Sequence, residues 1–287
     1  MATSSLRGHR ALITGASSGI GAAIAAELAG RGCDLVLAAR RRDRLDQVAA
    51  AARARQVEAT VVTSDLGQAG AATTLWHDTC ATGPTPTILV NNAGFGYFRP
   101  FTTAEIGRDL EMIQLNITSL VELAYHFVAT HRATPPAPGR AYLLNVASTA
   151  AFQAVPNFAV YASSKHFVRN FSEALHYELK GSPIHATCLC PGGTTTEFHA
   201  AAGAGDYGAL ASASMLSAEV VAKKGVAAMV RGKKTVVTGV LNKLSCFLAG
   251  LAPGGLASRS AGLVLGRPKD GALPARPASP SAAEAGR

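Results

Sequence analysis

Cysteine is scarce in this sequence, and its five cysteines are scattered along the chain. They stand at positions 33, 80, 188, 190 and 246 of 287 residues. An odd number, with no C-x-x-C pair and no Cys/His ligand spacing, argues against a disulfide framework and a structural zinc site. We therefore expect reduced thiols, no bound metal and a cytoplasmic location.

Long apolar runs are missing as well. No uncharged apolar stretch approaches the roughly 18 residues that a membrane-spanning helix requires. The first residues, MATSSLRGHRALITG, enter a strand pattern almost at once, so we expect no signal peptide. Because 48% of the residues are hydrophobic, the chain can nevertheless bury a sizeable core.

Acidic residues are nearly absent from one part of the chain. Residues 221–287 contain 11 Lys or Arg against Asp270 and Glu284, whereas residues 1–220 contain 16 of each sign. The formal net charge of +9 therefore belongs to the C-terminal region. Because the main body is neutral, the basic composition does not indicate nucleic-acid binding, and we expect no nucleic-acid partner.

What the sequence does have is a regular alternation of apolar and amphipathic segments. Runs such as DLVLAA, TILVNN and AYLLNVAS have the continuous hydrophobicity of buried parallel strands. Alternating strands and helices predict an α/β fold, a doubly wound parallel sheet of about seven strands with helices on both faces. Strands are predicted near 9–14, 34–39, 57–63, 87–91, 141–147, 184–190 and 235–238. Helices are predicted near 19–31, 43–55, 68–81, 103–131, 158–180 and 217–231.

Three glycines stand where the first predicted strand ends and the first helix begins, in ITGASSGIGAAIAAEL. Gly15, Gly19 and Gly21 allow a tight backbone turn, and they let a pyrophosphate approach the free N–H groups of the helix N-terminus. Their spacing differs from the G-x-G-x-x-G fingerprint, and glycines also form ordinary turns. In the first strand–helix unit of an alternating pattern, they indicate a dinucleotide site.

The end of the second predicted strand indicates which dinucleotide is bound. NAD-selective sites commonly place a carboxylate about 20 residues after the glycine loop. Here that position is Ala39, followed by Arg40, Arg41 and Arg42. A guanidinium can bind a 2′-phosphate with paired hydrogen bonds. We therefore expect NADP(H) to be preferred over NAD(H), with contacts from Arg40 and Arg41 and with Arg42 in solvent.

A tyrosine and a lysine lie one helical turn apart in YASSKHFVRNFSEALHYEL, at positions 161 and 165. On a helix, residues i and i+4 share a face, and a nearby cation favours the phenolate form of a tyrosine. Tyr161 would then donate and accept a proton near neutral pH. The same spacing occurs by chance on many solvated helix faces, so its meaning depends on the other motifs.

Taken with those motifs, the chain resembles the short-chain dehydrogenase/reductase family, in the branch with a TGxxxGxG cofactor loop and a YxxxK active site. The resemblance covers residues 9 to about 200, and the chain as a whole is similar to bacterial NADP-dependent members described only generically. The matching segments, in chain order, are TGASSGIG (14–21), SDL (64–66), NNAG (91–94), Asn116 in MIQLNITS, Ser148 in NVAST, Tyr161 with Lys165, and PGGTTTEF (191–198).

The resemblance implies hydride transfer between a nicotinamide and a carbonyl or secondary alcohol. Tyr161 would exchange the proton, Lys165 would assist it and bind the nicotinamide ribose, and Ser148 would hold the substrate oxygen. Asn116 would anchor a water that leads from Lys165 to solvent. The implied cofactor contacts are Gly15, Ser17, Ser18, Gly19, Ile20, Gly21, Arg40, Arg41, Asp65, Leu66, Asn92, Ala93, Gly94, Tyr161, Lys165, Pro191, Gly192, Thr194 and Thr196.

The expected pocket walls, Phe95, Phe152, Phe198 and residues 199–216, are mostly apolar. We therefore expect an apolar carbonyl or alcohol substrate, be it a steroid, a fatty-acyl chain or a small ketone. The family also implies a homodimer or a homotetramer. A second hypothesis is a regulatory protein that keeps this fold to sense NADP(H) without turnover.

The C-terminal region lies beyond these motifs. We divide the chain into a catalytic domain over 1–232 that includes a lid over 194–216, a last strand with an amphipathic helical extension over 233–266, and a disordered tail over 267–287. Within TGVLNKLSCFLAGLAP, six apolar residues recur at helical spacing. This C-terminal stripe consists of Val240, Leu241, Leu244, Phe247, Leu248 and Leu251.

Two interpretations of the C-terminal stripe stay open. In the first, the helix packs on the main domain or on a neighbouring subunit and walls the substrate pocket. In the second, the stripe and its basic flanks rest on an anionic membrane surface, at the inner face of the membrane.

Overall fold

The computed structural model describes residues 5–137, 139–195 and 215–251. Within these residues, seven strands form one parallel sheet in the order β3-β2-β1-β4-β5-β6-β9. A separate pair of two-residue strands, β7 and β8, is also present. The bounds are β1 Arg10–Thr14, β2 Asp34–Ala39, β3 Ala59–Thr63, β4 Ile88–Asn91, β5 Ala141–Val146, β6 Ile184–Cys190, β7 Thr194–Thr195, β8 Leu216–Ser217 and β9 Thr235–Val237.

Helices connect these strands and cover both faces of the sheet, as the alternating pattern predicts. Their bounds are α1 Gly19–Ala29, α2 Arg42–Arg53, α3 Ala71–Ala81, α4 Ile106–Ile113, α5 Ser119–Ala133, α6 Ala159–Glu178, α7 Ala218–Val230 and α8 Val240–Leu251. The predicted Rossmann-type doubly wound fold is confirmed. The strand order reverses between β1 and β4, and ligands of such sheets bind outside the carboxyl ends of the strands at that point.

Two apolar layers hold the sheet between the helices. On one face, Ile24 and Leu28 of α1 pack with Leu45 of α2 and Val221 of α7. On the other face, Leu75 and Trp76 of α3 pack with Leu123 and Phe127 of α5. Every residue of β1 and β5 is buried, which explains why their central residues, ALI and YLL, form continuous apolar runs rather than alternating with polar residues.

The helix predicted over 103–131 is interrupted in the structure. A short 3-10 turn covers Phe101–Thr103, α4 ends at Ile113, and a π-helical segment at Gln114–Thr118 leads into α5. A π segment widens one helical turn, and such segments are frequent at functional sites. This one contains Asn116, one of the four residues to which the resemblance gives a catalytic role.

The C-terminal stripe forms a helix, α8, but the stripe faces away from the sheet. Its six apolar side chains are between 54% and 82% exposed, whereas Asn242 and Cys246 are buried. The helix packs on the main domain through the side that carries Asn242 and Cys246, whereas the apolar stripe is exposed on the opposite side. A contact of the stripe with a neighbouring subunit stays a prediction.

Some predictions fall on parts of the chain that the structure leaves undescribed. Residues 196–214 of the predicted lid, residues 252–266 of the predicted extension and the predicted tail over 267–287 lie outside the described residues. Among the described helices, none combines the length and the apolar character needed to cross a bilayer.

Candidate active site

The glycine loop lies at the carboxyl end of β1 and leads directly into α1. Gly15 and Gly19 have backbone φ angles of 63° and 55°, a left-handed conformation that favours glycine. A Cβ atom on Gly21 would overlap with the carbonyl of Gly15 and lie 2.5 Å from Nδ2 of Asn92. The loop therefore requires glycine at these three positions, and it exposes the N-terminus of α1 to a phosphate group.

The NNAG segment after β4 holds the glycine loop in place. The side-chain amide of Asn92 donates to the carbonyls of Thr14 and Gly15, at 3.0 and 3.2 Å. In return, the Thr14 hydroxyl accepts from the backbone N–H groups of Asn92 and Ala93, both at 3.0 Å. One asparagine and one threonine thus fix the loop against the next strand of the sheet.

The three arginines after β2 have different surroundings. Arg41 donates to the hydroxyls of Ser18 at 2.7 Å and Ser17 at 3.3 Å, and so reaches across to the glycine loop. Arg42 forms an ion pair with Asp46, one turn along α2, at 3.2 Å. Both side chains are exposed, in agreement with the expectation that Arg42 lies in solvent. Arg40 is half-buried at the end of β2. The Arg41 guanidinium therefore stands beside the glycine loop.

The SDL segment forms the turn after β3 at the same edge of the sheet. The Asp65 carboxylate accepts from the backbone N–H of Gly67 at 3.1 Å, which closes the turn. The carbonyl of buried Leu66 accepts from the hydroxyl of Ser119 at 2.6 Å. The turn is thereby attached to α5 and is held near the carboxyl ends of the central strands.

The tyrosine–lysine pair lies on the first turns of α6 and is buried. Tyr161 is 7% exposed and Lys165 is 6% exposed. The Lys165 ammonium lies 5.8 Å from the centre of the Tyr161 ring and donates to the Val146 carbonyl, at the end of β5, at 3.0 Å. The spacing in the sequence therefore produces the shared face that it predicts.

Burial sets the protonation behaviour of the lysine. Removal from water lowers the pKa of Lys165 to about 8, and the nearby Cys188 and Cys190 thiols partly oppose that shift. Perturbed groups of this kind concentrate at functional sites. A lysine in this condition can lose its proton within about two pH units of neutrality, which an exposed lysine does not do.

Ser148 follows β5 and begins a short 3-10 helix, Thr149–Phe152. Its hydroxyl accepts from the backbone N–H of Ala150 at 3.1 Å, and it keeps a proton with which to donate to a ligand. The backbone N–H of Thr149 donates to the Pro191 carbonyl at 2.8 Å, and Arg169 donates to the Ala151 carbonyl at 3.1 Å. The serine is therefore held between β6 and α6.

Asn116 connects the segment after β4 to the helix that carries Tyr161. Its side-chain amide donates to the Phe95 carbonyl at 2.9 Å and to the Ser164 hydroxyl at 3.0 Å. Its oxygen accepts from the backbone N–H of Phe95 at 3.1 Å. Ser164 in turn donates to the Tyr161 carbonyl at 2.7 Å. Asn116 thus positions both segments, and the water relay implied for it stays a prediction.

Two glycines allow the segment after β4 to pass close to the side chains of Asn116, Tyr161 and Lys165. A Cβ atom on Gly94 would lie 2.8 Å from Oδ1 of Asn116 and 3.3 Å from the Lys165 ammonium. A Cβ atom on Gly96 would overlap with the Tyr161 ring, including a separation of 2.8 Å from Cγ. Gly96 was not among the sequence-predicted site residues, because only the folded structure brings it against Tyr161.

The PGGTTTEF turn follows β6. Pro191 and Thr194 are buried, and the Thr194 hydroxyl donates to the Gly192 carbonyl at 3.0 Å. A Cβ atom on Gly192 would lie 2.5 Å from Cγ of Asn242, which belongs to α8. Asn242 is a second neighbour of the site that the motifs do not include. Thr196 lies outside the described residues.

A buried polar pair beside Tyr161 was also missed by the motifs. The Tyr97 hydroxyl donates to Asp109 at 2.5 Å, and burial together with that carboxylate raises the pKa of Tyr97. Tyr97, Asp109, Phe158 and Tyr161 line a cavity of about 10 Å³, roughly the space of one water molecule. Phe158 also stacks on the Tyr161 ring, with 4.3 Å between ring centres. The wall of the site at this point is largely aromatic.

These parts define a class of site. The N-terminus of α1 and the side chain of Arg41 provide positive charge that suits phosphate groups. The buried pair of Tyr161 and Lys165 lies at the same edge of the sheet and provides a proton. Among the described residues, no cluster of three or more His, Cys, Asp or Glu side chains is arranged to hold a metal ion. The arrangement suits a dinucleotide whose reaction partner exchanges a proton with Tyr161.

Comparison with known proteins identifies the family. The family model described as short chain dehydrogenase matches residues 9–206. That match covers more than half of the chain and includes the catalytic and cofactor motifs. The chain belongs to the short-chain dehydrogenase family, whose members are NAD(P)-dependent oxidoreductases.

One relative is similar in sequence over most of the chain. The very-long-chain 3-oxoacyl-CoA reductase-B of Danio rerio is 34% identical over 205 residues, which is 69% of this chain and 63% of the relative. The chain therefore spans less than two thirds of the length of that relative.

Two of the solved structures that are similar to this chain in fold serve as examples. A short-chain dehydrogenase from Sphingobium yanoikuyae in complex with NADPH has a TM-score of 0.73 and 27% identity, covering 85% of this chain and 94% of that one. A bulky-bulky ketone specific alcohol dehydrogenase from Comamonas testosteroni has a TM-score of 0.70 and 26% identity, covering 85% of this chain and 93% of that one.

Proposed function

We propose that this protein is an NADP(H)-dependent oxidoreductase that interconverts an apolar ketone and the corresponding secondary alcohol. The observation that carries the proposal is the buried Tyr161–Lys165 pair, which lies at the same edge of the sheet as the glycine loop. When bound, the nicotinamide would supply or accept the hydride. The chain itself would bind and orient both ligands and move one proton.

Proton transfer falls to Tyr161. Its phenol would protonate the carbonyl oxygen during reduction and would remove the alcohol proton during oxidation. Lys165, held by the Val146 carbonyl, would stabilise negative charge on the phenol and bind the ribose of the nicotinamide. Ser148 would donate to the substrate oxygen and stabilise the charge that develops there.

The residues beside the glycine loop fit NADP(H) in particular. Arg41 already contacts Ser17 and Ser18 of the loop, and position 39 is an alanine rather than a carboxylate that would repel a phosphate. We propose that Arg40 and Arg41 bind the 2′-phosphate. The NADPH complex of the Sphingobium relative supports this choice.

An apolar substrate is supported by the walls of the site. Phe95 and Phe158 pack with Tyr161, and Phe152 lies in the short helix that Ser148 begins. The relatives named for a very-long-chain acyl substrate and for a bulky ketone are consistent with such a pocket. We propose a ketone or alcohol with a large apolar group rather than a sugar.

Association into a homodimer or homotetramer is part of the proposal. Several large apolar side chains of α4, α5 and α6 are exposed in the single chain, and a subunit interface would cover them. They are Ile106, Leu110, Tyr125, Phe167 and Tyr177. Five free cysteines are consistent with a reducing compartment, and we propose a cytoplasmic location.

The experiment that tests the proposal is a screen of ketones and alcohols that follows the absorbance of NADPH. Tyr161→Phe should fold and bind NADPH but lose most turnover, because only the proton donor is removed. Tyr142→Phe is the matched control, since Tyr142 lies at the amino end of β5, at the opposite edge of the sheet from the glycine loop. It should behave like the unchanged protein.

Two outcomes would contradict the proposal. Near-normal turnover by Tyr161→Phe would show that proton transfer does not depend on this residue. NADPH binding without turnover of any compound in the panel would favour the alternative hypothesis of a regulatory protein that senses NADP(H).

A further inference from the structure

The C-terminal helix α8 exposes its apolar face and buries its opposite face, the reverse of what its amphipathic pattern predicts. At about 100° per residue, the six apolar side chains of the C-terminal stripe occupy an arc of about 120° on α8. All six are more than half exposed. The opposite side of the helix, which carries Asn242 and Cys246, is the side that is buried.

Polar contacts hold the helix in this orientation. The Asn242 side chain donates to the Thr238 carbonyl at 2.8 Å, one turn back along the chain. The same side chain fits against Gly192 and Gly239, where a Cβ atom would lie 2.5 and 2.9 Å from its atoms. Because neither glycine leaves room for a side chain, this close contact fixes which face of α8 points inward.

The exposed apolar side chains of α8 form one continuous surface. The stripe includes Leu244, Phe247 and Leu248, adjacent on one helix and each between 54% and 63% exposed. Contiguous apolar patches of this kind mark contact sites for proteins or membranes. Lys243 is exposed at the margin of the stripe, which is where basic residues lie on helices that bind a lipid surface.

The positive charge of the C-terminal region indicates what kind of partner the stripe contacts. The whole formal net charge of +9 belongs to residues 221–287, with five Lys or Arg after the helix against Asp270 and Glu284. A symmetric contact between two copies of α8 would bring Lys243, exposed at the margin of the stripe, close to its own copy, and like charges disfavour such a pairing. We propose that α8 docks on an anionic lipid surface, with the apolar stripe inserted between headgroups.

The position of α8 gives the docking a consequence for the site. The helix starts directly after β9, at the carboxyl edge of the sheet, and contacts the short helix Thr149–Phe152 that follows Ser148. Asn242 touches the turn after β6 at Gly192. A docked α8 therefore places the entrance of the site beside the bilayer, where an apolar substrate concentrates. This last step rests on the proposed function, whereas the docking itself does not.

Sedimentation with vesicles tests the docking without any substrate. The full-length protein is mixed with vesicles of phosphatidylglycerol and phosphatidylcholine, or of phosphatidylcholine alone, at about 0.01 M and 1 M salt, where screening differs strongly. We expect binding to the anionic vesicles at low salt and much weaker binding in the other three conditions. Lys243→Ala should weaken binding about fivefold.

The double variant Leu244→Glu with Phe247→Glu should bind anionic vesicles at least about tenfold more weakly, because two apolar anchors are lost. Both residues are exposed, so the variant should fold and should reduce a water-soluble ketone as well as the unchanged protein does. Val220→Glu is the control, since it places the same charge on an exposed apolar site of α7. It should bind vesicles normally.

Either of two results would overturn the proposal. The first is that the unchanged protein stays in the supernatant with anionic vesicles at low salt, and the second is that the double variant binds as well as the unchanged protein. If the first result is accompanied by a smaller oligomer for the double variant in analytical ultracentrifugation, the stripe is a contact between copies. Loss of all turnover with vesicle binding intact would instead contradict only the proposed function.

Discussion

The close passage of Gly96 along the Tyr161 ring allows a sharp test of the site. Gly96→Ala adds one methyl group to the segment after β4. Its carbon would lie 2.8 Å from Cγ and 3.0 Å from Cε2 of Tyr161, whereas carbon atoms in contact prefer about 3.5–4.0 Å. Since the backbone of Gly96 does not adopt a left-handed conformation, the cost of the substitution comes from this contact. The ring must therefore move by roughly 1 Å.

A displacement of that size should affect activity more than stability. Overpacking of a buried site costs about 1–3 kcal/mol, which lowers Tm by several degrees in a chain of this size. Misplacing a catalytic group by about 1 Å can cost about 100-fold in rate. We therefore expect kcat to fall about 100-fold while the affinity for NADPH changes little. Steady-state kinetics measures kcat, fluorescence titration measures the affinity for NADPH, and thermal unfolding measures Tm.

Gly107→Ala is the matched control for this variant. It lies in α4, has no atom within 4 Å of the added methyl group, and receives a residue with a better helix propensity. Its kcat and NADPH affinity should be unchanged. Retention of kcat by a folded Gly96→Ala variant to within about threefold would refute the reasoning, because it would mean that the position of the Tyr161 ring does not limit the reaction.

The remaining predictions concern charge. Because burial lowers the pKa of Lys165 to about 8, its ammonium is present below that pH and lost above it. We expect kcat/KM for reduction, which reports the free enzyme, to fall above pH about 8, and a profile flat to pH 10 would contradict this. Arg41→Ala should weaken NADPH binding about tenfold or more while leaving NADH binding unchanged, since a charge-assisted contact contributes about 1–3 kcal/mol. Arg40→Ala should reduce the difference between the affinities for NADPH and NADH. Equal affinities for the two cofactors in the unchanged protein would contradict the predictions for both Arg40 and Arg41. Arg42→Ala should alter neither affinity, because Arg42 pairs with Asp46 in solvent.

The sheet could be predicted from the sequence to within two residues at each strand end. Strands such as Asp34–Ala39 and Ile88–Asn91 are buried on both faces, so they appear in the sequence within the largely apolar runs DLVLAA and TILVNN. Although its proposed role rested on the other motifs, the Tyr161–Lys165 pair could be placed on one helix face from its i, i+4 spacing. Both are local properties, which a single sequence contains in full.

The parts that could not be predicted depend on contacts between distant segments. Nothing in QLNIT distinguishes a π segment from a regular helix, because both are formed by the same residue types. The helical spacing of α8 predicts an apolar face but not its direction, which is set by the fit of Asn242 against Gly192. Gly96 and Asp109 were missed for the same reason, since each acquires its role from a partner on another element.

Because β1 lies in the middle of the sheet, between β2 and β4, the parts of the candidate site form at different times during synthesis. Leu12 pairs with Val36 on one side and with Leu89 on the other, so the first three strands can pair long before β4 is made. The glycine loop gains its Asn92 contacts only when β4 has joined.

Lys165 lies on α6 and donates to the Val146 carbonyl, so the Tyr161–Lys165 pair forms only after α6 has been made, later than the glycine loop. Because a chain emerges from the ribosome N-terminus first, the glycine loop and its Asn92 contacts can form before α6, which carries Tyr161 and Lys165, has been made. A nascent chain released before α6 would therefore carry a cofactor loop with no means of exchanging a proton with a substrate.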